Sequence, residues 1–223
     1  MPELKATANL LEALVPKYRD QFVAPHISDL TECGAEPVWE ERPRHREWVK
    51  AYILNSVLRS RWTGQMHQQV SVFLRKVQGA FEEYEEGRES LVRFFDTNRG
   101  SFTPYQQAVR RFGTTLSLVY QSYMIVYKVT GEKQYDAGDN SPLDIVSKLY
   151  NYRKHVEGMI VSQQGMPEEY TAPLWITNHG LGGPSAELRF EELRTLLLEL
   201  GNDANNLIDP AEFAERIGPD DAA

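Results

Sequence analysis

Residues Ser141–Ser162 read SPLDIVSKLYNYRKHVEGMIVS, and they join a marked helix start to a set of reactive side chains. Ser141 can cap the free amides of a first turn, Pro142 suits the first helical position, and Asp144 puts negative charge where the helix dipole favours it. The pattern predicts a helix from Pro142 onward. At about 100° per residue, Asp144, Lys148, Asn151 and His155 fall on one face, while Ile145, Leu149, Val156 and Ile160 lie on another. A core face and a separate polar stripe are expected.

The stripe holds a carboxylate, an ammonium, an amide and an imidazole that titrates near neutral pH. Such a set can bind and cleave a phosphodiester. The same spacing also describes a solvated face closed on itself by Asp144–Lys148 and Asn151–His155 contacts.

The run Lys148-Leu-Tyr-Asn-Tyr-Arg-Lys-His155, followed by Val156 and Glu157, resembles the signature helix of HEPN-domain proteins. That motif is an Arg, four to six residues and a His, often with an Asn between them. The resemblance implies a small helical bundle, commonly a homodimer, acting as a metal-independent endoribonuclease of a defence or toxin–antitoxin type system. Residue by residue, it assigns His155 to proton transfer or phosphate stabilisation and Asn151 to orienting the 2′-hydroxyl or a phosphate oxygen. It assigns Lys148 to neutralising charge on the phosphoryl oxygens. The sequence departs from the motif here, because Lys148 stands where an Arg is expected and lacks the planar fork that grips phosphate. Arg153 is too close to His155 to take that place. The alternative is a catalytically silent helical module that binds a protein partner.

Composition sets outer bounds. With 223 residues, 41% apolar and 11% aromatic, the chain is long enough to bury a core. Its 24 Lys plus Arg against 32 Asp plus Glu give a net charge of −8, which excludes a uniformly basic nucleic-acid binder. A local basic cluster, Arg42, Arg44, Arg46, Lys50, Arg59 and Arg61, reads as the solvated side of a helix. Cys33 is the only cysteine, so no intramolecular disulfide forms and a cysteine-rich zinc site is ruled out. No cofactor or metal is expected, and the reducing cytoplasm is the expected compartment. No stretch approaches the ~18 apolar residues of a membrane span.

Outward from the quoted stretch, helical spacing dominates. Residues 3–23 predict a core-packing helix or a pair of short helices, kinked or broken at Pro16, and 24–44 a surface loop in which His26, Cys33 and the following His45 show no metal-ligand spacing. Residues 46–95 predict two long helices parted near Arg61–Gln65 or at Gly79, with the acidic run from Glu82 to Glu89 on a solvated face. A helix over 101–129 follows, then a polar linker over 130–140. Beyond Gln164, Leu174–Thr177 and Ala186–Phe190 read as two strands around a glycine-rich turn at Gly180–Pro184. Phe190–Leu200 is an amphipathic helix, and a last short one starts at Asp209. The expectation is mainly α: residues 1–164 form an antiparallel four- or five-helix bundle. Residues 165–223 add a small C-terminal β-hairpin and short helices packed on it.

Overall fold

The computed structural model describes residues 45–62, 64–96, 103–156, 173–177 and 179–209. The helix expected over 3–23, the loop over 24–44 and the last helix beyond Asp209 lie outside these residues. The described chain is mainly helical, with a small antiparallel sheet near its C-terminal end.

A 3-10 turn, His45–Glu47, leads into α1 (Trp48–Leu54) and α2 (Ser56–Ser60). The first of the two long helices expected over 46–95 is therefore broken at Asn55. Its side chain accepts from the amides of Val57 and Leu58, a capping bond that competes with continuing the helix. Helix α3, Gly64–Asp96, then runs 33 residues without interruption. The break falls in the Arg61–Gln65 window, and Gly79 is no break. Instead Gly79 lets α4 (Thr103–Thr130) approach closely, since a Cβ there would lie 3.3 Å from Leu118.

Helices α3 and α4 run antiparallel. Residue numbers rise along one as they fall along the other: Lys76 bonds Gln121, Glu83 pairs with Arg111, and Phe94 packs on Tyr105. The acidic run lies on an exposed or half-exposed face, as expected, with Glu82, Glu86 and Glu89 exposed, and it also carries ion pairs. Glu83 and Glu86 hold Arg111 of α4, and Glu85 holds Arg46 and lies 3.5 Å from buried His45. These carboxylates fasten neighbouring elements to α3.

Helix α5, Pro142–Lys154, begins where the capping signal places it, with the Ser141 hydroxyl accepting from the Asp144 amide. It packs on α4 through stacked Tyr120 and Tyr150 rings 4.6 Å apart. Strands β1 (Trp175–Ile176), β2 (Gly180–Gly183) and β3 (Ala186–Arg189) form an antiparallel sheet in that order, with Trp175 opposite Gly182 and Leu181 opposite Leu188. Thus the glycine run, expected as a turn, is the central strand, and the turn falls at Pro184–Ser185. The glycines serve close packing here. A Cβ at Gly182 would meet the Trp175 ring at 2.4 Å, and one at Gly183 would meet Leu149 of α5 at 2.6 Å.

Helix α6, Phe190–Ile208, continues past the end expected near Leu200. Gly201 is buried at a helix crossing, where a Cβ would come 3.0 Å from Phe81 of α3, so it acts as a spacer and not a stop. Nearby, the Trp48 indole donates to Asn205 at 2.7 Å. One buried cluster joins Trp48, the α3 and α4 stripes, Leu149, Leu181, Leu188 and the α6 leucines. No helix among the described residues is long and apolar enough to cross a membrane.

The tightest glycine is Gly180, where a Cβ would lie 1.9 Å from the Leu188 carbonyl oxygen, a backbone atom that cannot swing aside. Gly180→Ala is expected to lower unfolding free energy by about 1–3 kcal/mol, as overpacking does, with urea titration as the measurement.

Candidate functional site

The α5 stripe is built around a buried charge. Asp144 is only 3% exposed, and its carboxylate accepts from the Gly138 amide at 3.0 Å and the Asn140 amide at 3.1 Å. Lys148 closes the set, its ammonium lying 2.8 Å from Asp144 and donating to the Asn140 side chain at 3.0 Å. Asn140 sits at φ 57°, a left-handed conformation that an Asn tolerates, and this turns its amide toward the carboxylate. The Gly138 amide and then the Lys148 ammonium hold the Asp144 carboxyl below the usual carboxylate range, against the opposing effect of burial. The linker is thereby wrapped onto the start of α5.

Asn151 and His155 are exposed. The His155 amide donates to the Asn151 carbonyl at 2.9 Å, so the link between them is the main-chain bond that closes the helix. His155 is the C-cap, with φ −116° and ψ 18°. Lys148, Asn151 and His155 share a face, yet the ammonium is drawn to the first turn while the imidazole sits at the last. At 1.5 Å rise, the seven intervening steps separate their backbones by roughly 10 Å.

Arg153, set aside on spacing, has a structural place. Its guanidinium lies against α4, donating to the Gly113 carbonyl and, at 3.0 Å, to the Ser117 hydroxyl. A Cβ at Gly113 would lie 2.4 Å from its Cζ, so the glycine makes the room, and burial pushes the arginine's pKa down. Beside α5, Tyr120, Tyr123, Tyr127, Lys133 and Tyr135 line a cavity of about 200 Å³. Among the described residues, no three His, Cys, Asp or Glu side chains group so as to hold a metal ion.

A larger groove, about 370 Å³, opens between the start of α3 and the ends of α4 and α6. Trp62, Met66, Phe73, Val126 and Val129 give it apolar walls, and Asp203 stands on its rim. Two polar groups there have no hydrogen-bond partner among the described residues. The Trp62 Nε1–H is buried with no acceptor. Asp203 has no hydrogen bond or counter-ion among the described residues, and partial burial, then the like charge of Glu199, push its pKa up. Glu199 itself accepts from the Tyr123 hydroxyl at 2.8 Å. Sequence reading missed this site because it ended the C-terminal helix at Leu200. A helix continued through Gly201 would have put Glu199 and Asp203 one turn apart on one face.

The Asp144 set makes a pH prediction. A carboxyl depressed in the folded state contributes stability that is full above its unfolded pKa, about 3.9, and is lost as pH falls through the folded value. Asp144→Asn is expected to cost about 1–3 kcal/mol at pH 6 and to flatten the acid limb of stability, read by urea titrations at pH 6 and pH 3. Lys148→Met should raise the Asp144 titration midpoint in carboxyl NMR.

The chain matches no protein-family model, no curated protein and no solved structure. Its functional reading rests on its own residues.

Proposed function

We propose that the chain is a catalytically silent helical module that binds a protein partner through the groove at the ends of α4 and α6. The observation that carries this reading is the groove itself, an apolar trough lined also by a carboxylate that has no hydrogen bond or counter-ion among the described residues. A surface of this kind offers shape, burial and a directional charged contact, the ingredients of recognition.

The α5 stripe supports the same reading from the other side. Metal-free cleavage of RNA needs a cation on the phosphoryl oxygens and a group that moves a proton. Lys148 is already neutralised by a buried carboxylate and bonded to Asn140. Releasing it to a phosphate would leave Asp144 buried and short of its counter-ion, which is costly.

The HEPN-like ribonuclease stays as the second reading, on one specific observation. Asn151 and His155 are exposed one turn apart on α5, with Lys154 adjacent and also exposed. In that reading two copies of the stripe face each other in a homodimer.

Incubation of a mixed RNA pool with the wild-type protein in EDTA separates the two. The expected result is intact RNA with wild type and with His155→Ala alike. Cleavage by wild type that disappears in His155→Ala would overturn the silent reading in favour of the ribonuclease.

A further inference from the structure

We infer that the groove's occupant is a basic amphipathic helix of a partner protein, its apolar face in the trough and a Lys or Arg on Asp203. This rests on the binding-module reading and names the partner's chemistry.

Charge is the first argument. The lining of the groove includes Val129 and Thr130, the last residues of α4, and Asn206 and Leu207, close to the end of α6. Two helix C-termini, each with free carbonyls and partial negative charge, therefore meet there and favour a cation. Asp203 adds a full negative charge with no counter-ion among the described residues, and its neighbour Glu199 adds another. Arg61, the cation lining the groove, lies over the Trp62 ring, 4.5 Å from its centroid. The net charge of −8 steers a cationic partner toward the chain at long range.

Shape is the second argument. Apolar surface continues out of the cavity. Val129 on its edge is 39% exposed. Val57, one helical turn before Arg61, is 56% exposed. A small molecule filling the cavity would leave these side chains wet, whereas an amphipathic helix presenting anchors at helical spacing covers a strip of this kind. The Trp62 side chain lines the groove while its Nε1–H is buried, so a bound helix changes the surroundings of the indole without reaching that atom.

The test is fluorescence anisotropy of the full chain with a labelled leucine–lysine peptide of about 14 residues, helical and amphipathic, beside its leucine–glutamate counterpart. Wild type is expected to bind the basic peptide and not the acidic one. Asp203→Lys should weaken binding by about tenfold or more. Glu89→Lys, the same charge change on an exposed position of α3, should leave it nearly unchanged. In ¹H–¹⁵N spectra the Trp62 indole resonance, assigned through Trp62→Phe, should shift on binding. Any of four results overturns the inference: no binding of the basic peptide, equal binding of the acidic one, equal loss in Glu89→Lys, or an unmoved Trp62 resonance. Such a failure with RNA left intact removes this partner class alone, whereas His155-dependent RNA cleavage removes the module reading beneath it.

Discussion

The seam between α3 and α4 is the constraint from which the other elements take their positions. Val70, Phe73, Leu74, Val77, Phe81 and Tyr84 of α3 are buried, as are Tyr105, Ala108, Phe112, Leu116 and Val119 of α4. Each large apolar side chain buried this way contributes about 1.5–3 kcal/mol, before the entropy of ordering it. Glycines set how close the helices come: Gly87 gives way to the Phe112 ring, and Gly79 to Leu118. The flanks then follow, with α1 and α6 laid against α3, and α5 against α4.

On α5 the same residues that suggest chemistry are spent on architecture. The 131–141 linker has few apolar groups of its own, and it is tied down by Asp144 through two backbone amides and by Tyr135 on Ser147 at 2.9 Å. A buried carboxylate is tolerable only when hydrogen-bonded and paired, and Lys148 completes that pairing. The molecule therefore ties the Asp144–Lys148 half of the stripe into the fold and leaves Asn151 and His155 exposed. By contrast, two polar groups of the groove between α3, α4 and α6, the Trp62 N–H and Asp203, have no partner among the described residues.

Much of this was legible in the residues. Ser141-Pro142 announced the start of α5, and the spacing of aromatic and aliphatic groups gave α3 and α4 their extents within a few residues. Glycine accounts for much of what failed, although the break at Asn55 comes from a side chain that caps the helix after it. Alone in a sequence, Gly180, Gly182, Gly183 and Gly201 read as turn or stop. In the fold each is a place where a neighbour comes closer than a Cβ allows, which depends on partners far along the chain. The Asp144–Lys148 contact was visible as an i,i+4 pair, but the two amides that make Asp144 a buried anchor come from linker backbone, which carries no side-chain signature. The groove was hidden for a related reason, since its rim residue Asp203 lies beyond the expected helix end.

The central claim is that Lys148 belongs to the Asp144 anchor and is not held in reserve for a substrate. A double-mutant cycle in urea at pH 6 across wild type, Asp144→Asn, Lys148→Met and the pair measures it directly. The account predicts a favourable coupling of about 1 kcal/mol or more, because either single change already abolishes the shared interaction. Strictly additive effects, with coupling near zero, would show an ammonium that contributes nothing to the anchor and would contradict the account.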